Sequence, residues 1–177
     1  MIDNLLKRIS NLYLFFGKIT SLLNVVLVLL VVTDVLLRYY FLYSQAWLTE
    51  LEWHVFALIF LLGATYTLQY DSHVRVDLFY NGLSKKTQTW INLVGTLVFL
   101  LPWCLIVIIS SENYAHNSFL INETSADPGG LPYRFVIKYA ILVSYVFLFF
   151  YGIVFICKSI LVLRGKDISL FIETESK

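Results

Sequence analysis

The chain has 177 residues, of which 59% are hydrophobic, 17% aromatic and only 14% charged. Soluble domains carry about a quarter charged residues, so this composition describes a protein solvated mostly by lipid. A net charge of +1 gives no basic footprint for nucleic acid. The two cysteines, Cys104 and Cys157, both sit inside apolar runs, which argues against a disulfide framework and leaves no zinc-like Cys/His spacing.

At the N-terminus, Lys18 interrupts the segment after Lys7 and Arg8, and no small-x-small cleavage site follows. The segment therefore does not have the form of a cleaved signal peptide. Ile2, Leu5, Leu6, Ile9, Tyr13 and Phe16 recur at helical spacing, with Asp3, Asn4, Lys7, Arg8 and Asn11 opposite them. This pattern predicts a short amphipathic helix lying on the membrane surface.

Four apolar segments reach the roughly 20 residues needed to cross a bilayer: 19–37, 47–69, 90–110 and 135–163. At this length only helices satisfy the backbone in lipid. The expected fold is an all-α membrane protein, a single domain over 1–177 with four transmembrane helices and a short tail at 164–177.

Asp34 and Arg38 stand four apart at the end of the first span. They form either a local ion pair or an anchor point for a partner chain. Glu50 and Glu52 open the second span, where acids suit the helix dipole. They are about 200° apart around the helix, so at least one is expected to face protein. Glu50 and His54 share a face. The loop after this span contains His73, Arg75 and Asp77 among Val74, Val76, Leu78 and Phe79. That is too apolar for a free loop, and it suits docking on the bilayer surface or on another protein.

Pro102 removes a backbone hydrogen bond from the third span and predicts a kink. Gly63-Ala64 and Gly152 offer small surfaces for close helix approach. Between spans three and four lies "SADPGGLPYRFVIK" (125–138). Asp127-Pro128-Gly129-Gly130 is a turn by composition, and Pro132 is expected within the first turn of the next helix. Arg134 and Lys138 follow four apart and repel modestly. They call for carboxylates, with Glu50, Glu52, Glu112, Glu123 and Asp127 on the same side. Arg134 is expected to grip one in two-pronged fashion. This elbow serves packing alone, an interface with a partner, or contact with substrate.

Lys138 and Lys158 are 20 residues apart, about 30 Å along a helix. They are expected to mark the two membrane interfaces with their stems snorkelling outward. Of the 13 Lys and Arg residues, only Arg38, Arg134 and Lys138 fall on the side opposite the termini. The positive-inside rule then places both termini in the cytoplasm.

No charge lies in the middle of the third span, so no ion path through this chain alone is expected. A self-contained channel or carrier is thereby disfavoured. An anchor for a redox enzyme is the other alternative, but a membrane haem usually takes two axial histidines, and only His54 lies in a span. No G-x-S-x-G motif suggests a hydrolase. Neither cofactor, metal nor enzymatic activity is expected.

The segments "DVLLRYYF" (34–41), "ELEWHVFALIFLLGATYTL" (50–68), "HVRVD" (73–77) and "GGLPYRFVIK" (129–138) resemble, in order, the small membrane subunit of tripartite ATP-independent periplasmic (TRAP) transporters. The resemblance covers most of residues 20–160. It implies a bacterial inner-membrane system in which a periplasmic solute-binding protein captures a solute, such as an organic acid. A large membrane subunit moves the solute with a sodium gradient, and the small subunit holds that subunit's static scaffold. It further implies that Arg38, Glu50, Glu52, Arg134 and Lys138 organise the outer side, and His73, Arg75 and Asp77 the inner. Asp34, His54, Glu123, Gly130 and Pro132 complete the candidate interface and structural residues.

Overall fold

The computed structural model describes residues 2–69, 80 and 82–165. Among them the chain is helical and has no strand. In order come α1 (Ile2–Phe41), α2 (Ala46–Gln69), α3 (Lys85–Gly95), a π-helical turn (Thr96–Leu100), α4 (Leu101–Leu120) and α5 (Phe135–Leu163). Four stretches are long and apolar enough to cross a membrane: Gly17–Phe41, Ala46–Thr67, Lys85–Leu120 and Phe135–Leu163.

The helices outrun the apolar windows, because a helix propagates through polar residues until something stops it. α1 continues unbroken for 40 residues, about 60 Å. The N-terminal amphipathic segment is thus an extension of the first span rather than a separate element. At the other end of α1, Leu42 takes a left-handed conformation (φ 51°) and turns the chain towards α2.

Pro102 does not break the third span. The turn before it widens, and Leu101 N–H bonds the carbonyl of Thr96, five residues back. A proline at 102 cannot bond the carbonyl of residue 98 and crowds it. One π turn absorbs that mismatch and lets the helix run on to Leu120.

α1 packs against α2, α2 against α5, and α5 against the α3–α4 helix. The result is an open row, α1–α2–α5–α4, where a closed bundle would bring α1 back against α4. Its core lies between α4 and α5, where Cys104, Leu148, Tyr151 and Val154 cluster. Gly152 permits this approach: a Cβ there would meet Leu101 Cδ2 at 2.8 Å. At the other end of the row, Leu22, Val25, Val28, Leu29 and Val32 of α1 are exposed.

Lys158 departs from the snorkelling expectation. It is 9% exposed, and its ammonium donates to the Tyr151 hydroxyl at 3.3 Å, two helical turns back along α5. A polar partner within the protein holds the side chain inward.

Candidate functional site

The polar side chains gather where α1 ends, α2 and α5 begin, and residues 121–134 form the elbow. The elbow is anchored first at the end of α4. Asn122 adopts a left-handed conformation (φ 46°), which asparagine tolerates better than most residues. Its N–H bonds the Phe119 carbonyl at 3.1 Å, and Glu123 N–H bonds the Ser118 carbonyl at 3.0 Å. This is a Schellman closure, and it aims Glu123 at α5.

The loop then folds on itself. Ser125 N–H bonds the Leu131 carbonyl at 3.1 Å, and Gly130 N–H bonds that of Asp127 at 3.0 Å. Ser125 Oγ accepts from Asp127 N–H at 3.1 Å, a serine turn. Gly129 supplies the positive φ of 75°. Arg134 N–H reaches the Glu123 carbonyl at 2.9 Å. Pro132 lies three residues before α5 rather than in its first turn. The entry angle is set by Tyr133, held at φ 62°, because the closed loop must reverse direction before the helix can start.

Glu50 is the centre of this arrangement. It is 4% exposed and sits past the first turn of α2, so it does not cap that helix. Oε2 accepts the Leu131 N–H at 2.5 Å. Oε1 accepts the Ser125 hydroxyl and Arg134 Nη2 at 2.9 Å. Arg134 Nη2 also lies 3.3 Å from Ser125 Oγ. The expected two-pronged arginine grip is replaced by one guanidinium N–H, one hydroxyl and one backbone N–H. The backbone donor arrives because Gly130 lets the loop close: a Cβ at 130 would lie 2.9 Å from Glu50 Oε2.

Lys138 takes the second carboxylate. It is buried, pairs with Glu123, and its ammonium stands 3.9 Å from the centre of the Tyr114 ring, a cation–π contact. The hydrogen bond from Lys138 lowers the Glu123 carboxyl below its ordinary range. The two cations of the elbow thus each receive their own acid, which removes the repulsion their spacing implies.

Asp34 and Arg38 form the local ion pair, with Asp34 buried and Arg38 half-exposed. Glu52 faces this pair, within electrostatic range of both, while Glu50 faces the elbow. The 200° separation therefore sends the two acids of α2 to opposite neighbours. His54 shares a face with Glu50 but bonds its backbone carbonyl, through Nδ1 at 2.6 Å, and its ring lies 3.8 Å from that of Trp53. Among the described residues no three His, Cys, Asp or Glu side chains gather as metal ligands. His73, Arg75 and Asp77 lie outside the described residues.

Ser125, Tyr114 and the Leu131 N–H were not singled out by sequence. Ser125 carried a signal, a hydroxyl two residues before the Asp-Pro of a turn. Tyr114 and Leu131 carried none, because their partners come from helices distant in sequence.

Four apolar helices in an open row, with their charged groups paired at one end, define a helical multi-pass membrane protein. The chain belongs to the family described as tripartite ATP-independent periplasmic transporters, DctQ component, whose model matches residues 27–161. It is thus the small membrane component of a TRAP transporter, a transporter part rather than an enzyme family. No curated protein gives a significant match.

Proposed function

We propose that the chain is a static scaffold beside the large membrane subunit of its transporter. It sits in a bacterial inner membrane with both termini in the cytoplasm, and the elbow faces the periplasm. The large subunit moves the solute, an organic acid by family analogy, into the cell with a sodium gradient as the driving force. A periplasmic binding protein delivers that solute. The observation that carries this reading is the open row. Its α1 packs on α2, and apolar side chains on both α1 and α4, Leu22, Val25, Val28 and Val32 on the one and Trp103, Ile106 and Ile109 on the other, remain uncovered. Such a slab supports a second protein better than it encloses a solute.

The polar groups support the same reading. Thr33 Oγ1 bonds the Leu29 carbonyl at 2.7 Å, and Asn24 Nδ2 bonds that of Thr20 at 2.9 Å. Both bond within their own helix and offer no relay from one membrane face to the other. The elbow, closed on Glu50, acts as a rigid brace that fixes α2 against α5.

Reconstitution in liposomes tests the proposal. The purified chain alone should give no solute flux. The chain with the large subunit and the binding protein should give uptake that needs a sodium gradient. Flux from the chain alone would refute the scaffold role.

A further inference from the structure

The two uncovered edges of the row differ in chemistry. On α4 and the π turn before it, the exposed side chains between Leu97 and Ile109 are wholly apolar, with Phe99, Trp103 and Ile106 among them. Lipid tails require nothing more. On α1 the face formed by Ser21, Asn24, Val28 and Val32, at three- and four-residue spacing, is exposed too, but it carries an amide. Asn24 stands about 10 Å inside the near end of the Gly17–Phe41 span. Its Nδ2 donates to the Thr20 carbonyl at 2.9 Å. An amide has a second N–H and an oxygen with two lone pairs, and among the described residues nothing bonds either of them. The side chain is exposed, so a neighbouring helix can reach it.

We propose that α1, and not α4, is the edge against which the large membrane subunit packs, through a transmembrane helix that sets an amide or hydroxyl side chain opposite Asn24. This rests on the accessory-subunit reading above and names the edge and the chemistry of the contact. A bare amide in hydrocarbon is costly, and asparagine is one of the side chains that join membrane helices by hydrogen bonds. Val25, Val28 and Val32 surround it. Each is β-branched and holds essentially one rotamer in a helix, so a partner packs on them at little cost in side-chain entropy. α1 is also the end of the row, held mainly by α2, and a helix laid on it extends the row by one member. The α4 edge offers an incoming helix no polar group at that depth and suits lipid.

The test co-expresses the tagged full chain with the large subunit of its transporter. A photo-crosslinking benzoylphenylalanine replaces Val28 of α1 or Ile106 of α4, and the membranes are irradiated. The probe at 28 should crosslink to the large subunit, and the probe at 106 should not. A crosslink from 106 as strong as that from 28 would overturn the proposal. So would a product from 28 of twice the chain's own mass, which would make the occupant a second copy, or no product from 28 in membranes where the subunit is retained. Asn24→Leu then separates partner from lipid. It should reduce the large subunit retained on purification about threefold or more, while the variant chain alone melts no lower than the unsubstituted one. Unchanged retention would mean that the amide faces lipid, and a lower melting temperature of the chain alone would mean that it serves the fold. Either result contradicts the proposal. If the unsubstituted chain retains no large subunit, the accessory-subunit reading itself fails.

Discussion

Arg134 Nη2 lies 2.9 Å from Glu50 Oε1, and this ion pair joins the start of α5 to the start of α2. The two helices are separated by the whole α3–α4 excursion, so the pair closes the middle of the row. Glu50 is the more buried partner and also receives Ser125 and the Leu131 N–H. One carboxylate therefore holds a helix and a loop together.

Glu50→Ala should strip the elbow of its acceptor and leave Arg134 unpaired. Breaking a buried ion pair costs about 3 to 5 kcal/mol. The partial exposure of Arg134 places the expected loss near the lower figure. Thermal unfolding of the purified chain in detergent should show it, with Glu50→Gln milder because the amide oxygen still accepts.

Gly130→Ala and Gly95→Ala should have opposite signs. A methyl at 130 presses on Glu50 Oε2 and on the Ser125 side chain, whereas one at 95 meets nothing within 4 Å. Overpacking costs about 1 to 3 kcal/mol. A helical Gly→Ala change gains roughly 0.5 to 1 kcal/mol. Paired melting curves decide this, and equal shifts would count against the close fit at 130.

Acid should loosen the elbow through Glu123. Its carboxyl is lowered by the hydrogen bond from Lys138. A lowered acid contributes its full stability above its unfolded pKa, about 4.3, and loses it as pH falls through the folded value. The melting temperature of the unsubstituted chain should therefore exceed that of Glu123→Gln at pH 7. The gap should close below about pH 4. A gap independent of pH would remove Lys138 as the cause.

Arg134→Glu should weaken uptake and subunit association far more than Arg164→Glu. The first puts a second anion against Glu50. The second lies exposed just beyond α5. Solute uptake in cells carrying each variant checks this, and equal effects would deny the elbow a special role.

Much of the fold was legible because apolar length is a strong signal. The fourth span, 135–163, coincides with α5, and the second agrees within a residue. The end of α4 was not legible, because Glu112, Asn113, His116 and Asn117 are polar yet remain helical until Asn122 closes the turn; the start of α1 was not, because the helix runs on through Lys18. At the elbow, charge bookkeeping offered Glu50, Glu52, Glu112, Glu123 and Asp127 to Arg134 and Lys138, and the structure takes Glu50 and Glu123. It could not say which acid went to which cation, since that depends on how α2 packs against α5. The Leu131 N–H was invisible for a simpler reason: every residue but proline has one. The inward turn of Lys158 escaped because Tyr151 looks like any other aromatic in an apolar run.

The most direct measurement is affinity purification of the tagged chain from the membranes of its own organism in mild detergent. A large multi-span permease subunit should come with it in equal amount. A stable, monodisperse chain that emerges alone would contradict it.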